Sequence, residues 1–591
     1  MGMNMKRKIY HLINWSLPYL AICAMAYIIM YPQLISHGVI LGTDSIFHFN
    51  RFYDAAKQLQ QFNFSYFQSN YCFQQSGRVI NAVYGPLFAY LNGALIGLLG
   101  TWFRYEVVTN LIVYIGGGVG MYLLAIKAHS SRRFALLVSL IFMNIGWLPR
   151  WELAQNMNAW GAMLAPYMLM CGLTMLQDRH HPVHWLPLMT LMTIIIQIHL
   201  LSSIFFVVTL VPFFIIGLVR TDHRWEMIKE TALAVVGTTI LTANVWGALL
   251  MLNLHNNIAT PAAFDMFKNS LVPSQFSSTR AYLIYFCWLL FLAQFVYVCC
   301  HLKRSLVNTT VTIWGAIVLM FSSIWTPWEK LAVAVPSLQH NLQFPNRLTV
   351  IAYPLLLLGV AISATAFVQR DHEPALHLRR NITIGVLFFV VTQVFVPNTI
   401  DVFQRTARYQ SSAVLNSSSA IAWVTDNRVK LRRSVHDLYP GQLLTMVEKR
   451  SPDYLPIPKK YVNKKYIRSF AYQDQIINHA QEYKHTVLPH GGLQLTWNAK
   501  QAKKVRLPII AYAESQLTVN GHHLTHYQRS SIGAPYVHQR RGKNTATLYF
   551  KMAGWFKAML TVSLTGLTLL LLYGIYRFIR NCPRFWQQIT E

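Results

Sequence analysis

The feature that most limits what this chain can fold into is a recurrence: apolar runs of 16 to 24 residues return along most of its 591 residues. As a helix, a run of that length matches the roughly 30 Å hydrocarbon core of a bilayer. Charged residues make up only 12% of the chain against 54% hydrophobic, so a polytopic α-helical membrane protein is predicted. The opening 1-MGMNMKRKIYHLINWSLPYLAICAMAYIIM-30 reads as a retained first span, because its apolar part is long and no small-residue cleavage pattern follows. Lys6, Arg7 and Lys8 ahead of it place the N-terminus in the cytoplasm.

Further apolar stretches lie near 84–100, 106–126, 134–148, 159–176, 184–199, 202–219, 229–250, 280–300, 306–324, 347–368, 381–396 and 554–577. If every one crosses, the basic loops 127-KAHSSRR-133, 178-DRHHPVH-184, 220-RTDHRWEMIK-229, 301-HLKRS-305 and 370-RDHEPALHLRR-380 all fall outside. If 84–100 does not fully cross, all five fall inside, joined by 577-RFIRN-581, as basic loops should. The segment 86-PLFAYLNGALIGLLG-100 is short and carries Gly, Asn and Pro, which suits a re-entrant or interfacial helix. The expectation is about twelve crossings with both termini cytoplasmic. Segments 32–105, 149–158, 252–279, 325–346 and 397–553 then lie outside.

Three units follow: a transmembrane domain over 1–396, an extracytoplasmic α+β domain over 397–553, and a last transmembrane helix with a cytoplasmic tail over 554–591. The middle unit opens with helix-compatible sequence such as 411-SSAVLNSSSAIAW-423 and turns at 451-SPDYLPIPKK-460. From about 486 to 553 it changes to short alternating runs broken by Gly, Asn and His, the pattern of a β-sandwich. The formal charge of +30 would suggest nucleic acid in a soluble chain. Here the basic residues divide between loops that report topology and the 397–553 region, with roughly two dozen Lys/Arg against eight acids. Anionic lipid, envelope polymers or phosphate-bearing substrates are the expected partners, and nucleic acid is not; a merely solvated face is an equal reading. Six of seven cysteines lie in or beside apolar runs and only Cys72 in an outward loop, so no disulfide framework or Cys-based metal site is visible.

The polar residues that stand out are outward-facing. Residues 44–62 look helical, with Asp44, His48 and Arg51 on one face and Ile46, Phe49, Tyr53 and Ala56 on the other. The segment is expected to lie along the outer membrane surface, apolar side down. A carboxylate beside an imidazole suits general-base work, and an arginine a turn later suits a phosphate; a solvated amphipathic anchor fits the same spacing. Arg78 and the Tyr84-Gly85-Pro86 turn come next, Arg78 as a phosphate ligand or a snorkelling side chain. In an otherwise apolar run, Gln197, His199, Ser202 and Ser203 form a polar patch, functional or a tight interhelical turn. Arg347 follows a Phe-Pro turn at the outer mouth of a span. Arg150 and Glu152, in an aromatic setting, could contact a sugar or belong to an interfacial belt.

Taken in order, 42-GTDSIFHFNR-51, 84-YGPLF-88, 199-HLLSS-203, 343-QFPNR-347, 452-PDYLP-456, 507-LPIIAYAESQLTVNG-521 and 545-TATLYFKM-552 resemble the YfhO-like bacterial membrane proteins, also labelled 6-pyruvoyl-tetrahydropterin-synthase-related. That family is grouped with the GT-C glycosyltransferases. The resemblance implies a cell-membrane enzyme with a GT-C-like fold that moves a sugar from a polyprenyl-phosphate carrier onto an envelope acceptor at the outer face. It implies Asp44 as base or metal ligand, His48 beside it, Arg347 and Arg51 on the carrier phosphate, and Arg78, Tyr84, Glu152 and His199 in substrate contact. A divalent cation, Mg²⁺ or Mn²⁺, stays open, with Asp44 its one ligand and no adjacent acid. The Gly-Glu pair of the family is absent at 156-NMNAWGAM-163, where Glu152 is the nearest substitute. A lipid or glycan transporter, or a catalytically silent scaffold, would use the same architecture; a transporter predicts charged groups near the bilayer midplane, which this chain concentrates at the outer ends instead.

Overall fold

The computed structural model describes residues 2–277, 281–369, 375–411, 421–423, 427–462 and 470–590. Among these, seven helices are long and apolar enough to cross a bilayer: Ile13–Ser36, Trp102–Lys127, Asn158–Gln177, Leu200–Arg220, Pro345–Val368, His377–Gln410 and Gly554–Asn581. The pair Arg224–Leu241 and Ala243–His255, bent by 59°, makes an eighth if counted as one span. This is a multi-pass membrane protein. The remaining apolar runs form shorter helices at Arg132–Met143, Trp185–Ile198, Tyr285–Cys299 and Leu306–Ser322. Apolar composition says that a helix is buried in lipid or protein, while caps and breaks set its length; about twelve apolar runs therefore yield seven or eight helices of span length. The helix Pro86–Leu99 has 14 residues, about 21 Å at 1.5 Å per residue, short of a full crossing.

Burial orders the bundle. The window in Pro345–Val368 is 83% buried, whereas that in Gly554–Asn581 is 6% buried, so the former is the central helix and the latter faces outward on nearly all sides. The central helix packs on Leu306–Ser322, Arg132–Met143, Asn158–Gln177 and Tyr285–Cys299. Neutral amides lock other helices together: Gln197 and Asn244 exchange side-chain bonds of 2.7 and 3.3 Å, and Ser563 of the last helix donates to Asn244 at 2.9 Å.

The domain boundary expected at 396 falls inside a continuous helix, Ala375–Gln410, which runs through Pro397. Asn398, Val402, Thr406 and Tyr409 are all buried, so a protein-facing stripe at helical spacing persists after the composition turns polar. Most of 411–423 lies outside the described residues; its end, Ile421–Trp423, is a strand paired antiparallel with Val447–Lys449. Beyond it, five antiparallel strands run in the spatial order Lys484–Leu488, Gly492–Ala499, Gly542–Phe550, Ser515–Val519, His522–Leu524. Asn520 and Gly521, both at positive φ, make the two-residue turn that closes the last hairpin. A second antiparallel pair, Lys503–Arg506 with Tyr536–Gln539, shares one core with this sheet through Leu493, Leu495, Leu517, Val537 and Leu548. The alternating pattern thus becomes two sheets over one apolar layer.

The loop after helix Ser45–Gln61 is stitched to this β-region. Gln68 Nε2 donates to Leu548 O (3.3 Å), Asn70 Nδ2 to Gly491 O (2.7 Å), and Ile510 N to Ser76 O (2.7 Å). Within the loop, Asp54 accepts from the backbone N–H groups of Asn70 and Tyr71, both at 3.0 Å, and from Gln58 Nε2 at 2.7 Å.

The helix Ser45–Gln61 corrects the expectation of a surface-lying anchor. Its apolar face is covered by protein: Phe49 stacks on Trp102 at 4.0 Å, Phe52 meets Phe88 edge-on, and Tyr53 lies against Gly441. Ile46, Phe49, Tyr53 and Ala56 are all buried. Periodicity reveals a two-faced helix, but a bilayer and a neighbouring helix are equally good cover for the apolar side.

Candidate active site

The loop 42–45 is pressed against the turn after helix Arg150–Ala154. A Cβ on Gly42 would lie 2.3 Å from Ala154 Cα, so only glycine admits this approach. Gly42 N donates to Ser45 Oγ (2.7 Å), Ser45 Oγ donates to Gln155 Oε1, and Gln155 Nε2 donates to Glu106 Oε1 (3.3 Å). Glu106 also accepts from Gln33 Nε2 at 2.8 Å and Ile40 N at 3.0 Å. Asp44 is the residue this scaffold presents. Its backbone N–H donates to Ala154 O (3.2 Å), and its Oδ2 accepts from Asn156 Nδ2 (3.0 Å). From the far end of the chain, Lys449 brings Nζ to 3.5 Å from Asp44 Oδ1 and 2.5 Å from Thr43 O. The Asp44 side chain keeps 34% of its surface open, so the carboxylate borders free space.

Two helical turns on, Arg51 is fully buried and its guanidinium serves the chain itself. Nε donates to Asn81 Oδ1 (3.1 Å), Nη1 meets His48 Nδ1 (3.0 Å), and Nη2 donates to Tyr84 O and, at 3.4 Å, to Gly85 O. Asn81 Nδ2 returns a bond to Arg51 O at 3.1 Å. Burial brings the Arg51 pKa down to about 10, against the tyrosines around it, which raise it; the group is still cationic at neutral pH. His48 lies stacked between Phe52 and Tyr84, with centroids 5.8 and 6.0 Å away. Burial and then the Arg51 charge hold it well below the usual imidazole range, so it is neutral and accepts from Arg51. His48 N bonds Asp44 O at 3.0 Å, a helical backbone bond. Among the described residues no side-chain hydrogen bond joins Asp44 to His48.

Tyr84 is where the separate motifs meet. Its ring lies 4.4 Å from the Arg51 guanidinium carbon, 6.1 Å from His199 and 6.4 Å from Tyr454. Burial raises its phenol to about 12, and it feels in turn the charges of Arg51, Asp44, Arg347 and Asp453. Gly85 follows at φ +58°, where a Cβ would sit 2.5 Å from Gln197 O, so the turn docks on the end of helix Trp185–Ile198. His199 occupies the extended break between that helix and Leu200–Arg220, with Nδ1 2.8 Å from Ser202 Oγ. Arg347 sits within electrostatic reach of both His199 and Tyr84, its Nη1 donating to Leu342 O (2.8 Å) over the Phe344 ring. Asp44, Tyr84, His199 and Arg347 are thus brought together.

Other expected residues lie elsewhere. Glu152 is buried and accepts from Tyr114 OH at 2.8 Å; burial pushes it up to about 8, and it faces the helical bundle. Arg78 is fully buried against the Tyr472 and Phe73 rings and donates to Asp453 O, tying the first loop to the 451–455 turn. Sequence reasoning missed Lys449, Asp453 and Glu106. Lys449 precedes the 451–455 turn and Asp453 lies within it, and they had no local signal beyond 452-PDYLP-456; Glu106, an acid inside an otherwise apolar window, could have been found as an ionisable residue in a span. An ammonium stands beside Asp44 where a cation would need a second acid, and among the described residues no group of three His, Cys, Asp or Glu could hold a metal. This donor set does not fit a resident divalent cation.

No established protein family matches the sequence, and no curated protein matches it. Among solved structures, the chain is similar to ArnT from Cupriavidus metallidurans bound to undecaprenyl phosphate, at 12% identity and a TM-score of 0.41, covering 68% of this chain and 79% of that one. That similarity is too low to define a common fold.

Proposed function

We propose that this chain is an integral membrane glycosyltransferase of the GT-C kind, which transfers a sugar from a polyprenyl-phosphate carrier to an envelope acceptor at the outer face, with inversion. One observation carries the reading: a partly open carboxylate, Asp44, and a cation at a helix mouth, Arg347, both lie within electrostatic reach of Tyr84. The base and the phosphate ligand of a displacement at an anomeric carbon are needed within one site. The acceptor hydroxyl gives its proton to Asp44 as its oxygen bonds to the anomeric carbon. The bond from that carbon to the carrier oxygen breaks, and its electron pair leaves on the phosphate, which Arg347 holds. Arg51 and His48 act here as positioning residues, because their polar atoms are engaged with each other and with the 81–85 turn. The outer-face placement rests on the basic loops that fall together on the other side.

The test is transfer from a labelled polyprenyl-phosphate sugar by the purified protein in liposomes carrying extracted envelope material. Product formation by wild type and its loss in Asp44→Asn and Arg347→Ala is the expected result. Movement of the label across the bilayer with no glycosylated product overturns the reading in favour of a transporter.

A further inference from the structure

The pair that closes the site joins residues 405 positions apart in the chain. Lys449 ends the three-residue strand Val447–Lys449. Its neighbour Glu448 anchors that strand on the first outward helix: Asn50 Nδ2 donates to Glu448 Oε1 at 3.1 Å, and the Lys449 N–H donates to the same oxygen at 2.7 Å. The lysine side chain is therefore aimed by its backbone into the Asp44 loop. Only 11% of that side chain is exposed, an expensive position for an ammonium without a strong partner. Yet its carboxylate partner is at 3.5 Å, well beyond the roughly 2.7–2.9 Å of a good charge-assisted bond. The ammonium has three N–H donors; Thr43 O and Asp44 Oδ1 take two of them. The pair also borders the open space on which the 34%-exposed carboxylate looks out.

We infer that Lys449 is a ligand for the phosphate of an incoming lipid carrier, and that it exchanges its loose contact with Asp44 for that phosphate. The inference rests on the glycosyltransferase reading and adds an order to it: carrier binding draws the ammonium from Asp44 and leaves the carboxylate to accept the acceptor's proton. Lys449 stays protonated throughout. The leaving electron pair goes to the phosphate oxygen and the hydroxyl proton to Asp44, so charge balances without a further reactant. A compact point charge of this kind is a common phosphate partner.

The probes are farnesyl phosphate and farnesol, bound to the full-length protein in detergent micelles. Wild type is expected to prefer the phosphate. Lys449→Gln should weaken phosphate binding by about ten- to a hundredfold, the effect of losing one charged hydrogen bond, and leave farnesol binding unchanged; Lys449→Arg should recover most of the loss. Asp44→Asn, which removes the competing carboxylate, should tighten phosphate binding severalfold in the wild-type background and by less in Lys449→Gln; an equal gain in both is what relief of charge repulsion alone gives, and it overturns the role of Lys449. If wild type shows no preference for the phosphate, both this inference and the carrier reading fall. If wild type shows it and Lys449→Gln keeps it, or Asp44→Asn binds no more tightly than wild type, the role of Lys449 is overturned while the carrier reading stands. Should Lys449→Gln not fold, Lys449→Met takes its place in both comparisons.

Discussion

The wall built by helix Ser45–Gln61 and the 81–85 turn differs in kind from the wall supplied by strand Val447–Lys449. In the first, Arg51 is fully buried and bonds Asn81, His48 and two carbonyls of its own chain. In the second, Lys449 holds one carbonyl closely and one carboxylate loosely, beside open space. Both are buried cations within a few residues of Asp44 in space, but only the second has a partner it can readily exchange. The lesson is that a cation near a reacting centre is informative in proportion to what its donors leave undone.

The largest effect should come from Asp44→Asn. It should cut transfer by about a hundredfold to ten-thousandfold, the usual worth of a positioned general base, with an unchanged melting temperature; retained activity would move the chemistry away from the Lys449 wall. Arg51→Met comes second. Leaving Asn81, Tyr84 O and Gly85 O without their donor should cost about 3 kcal/mol of stability, read as a lower melting temperature in detergent, while Lys449→Met should shift it far less. Equal shifts would erase the distinction between the walls. Third, Gly42→Ala should destabilise by about 1–3 kcal/mol, because a Cβ at that position meets backbone that cannot yield, and activity and stability should fall together.

The smallest effect is a pH dependence. Burial pushes Glu448 up to about 8, from an ordinary value near 4.5, so the folded state holds a proton that the unfolded chain releases earlier. Its contribution to stability is fully present below pH 4.5, is lost as the pH rises through about 8, and is constant above that. Melting temperatures from pH 4.5 to 8.5 should therefore decline more steeply in wild type than in Glu448→Gln. Asp54, raised to about 6, and Glu152, raised to about 8, carry the same sign and leave a residual slope in the variant.

What was legible in the sequence was the set of chain segments that meet. The Gly42–Arg51 stretch, the Tyr84-Gly85-Pro86 turn, His199 and Arg347 each had a local signal, and they converge on Tyr84. What each arginine does was not legible. Arg51 and Arg78 read as phosphate ligands because side-chain type and side of the membrane were all that could be seen; beside Asn81 and His48, which Arg51 also meets, their acceptors are backbone carbonyls at 84, 85 and 453. A carbonyl is present at every residue and leaves no mark in a sequence. Lys449 was invisible for a related reason: a three-residue strand has too few positions to show a period, and its partner lies 405 residues away.

The bond from Gln68 to Leu548 closes a loop of 480 residues. At a ribosomal rate of roughly 5–20 residues per second, the segment around Gln68 waits roughly half a minute to a minute and a half for the strand that completes it. During that interval Gln68, Asn70 and Ser76 lack their partners in the β-region, and for most of it Asp44 has no lysine. Chains stalled before residue 449 would lack the lysine beside Asp44, so the pair forms only in molecules whose synthesis has passed that strand.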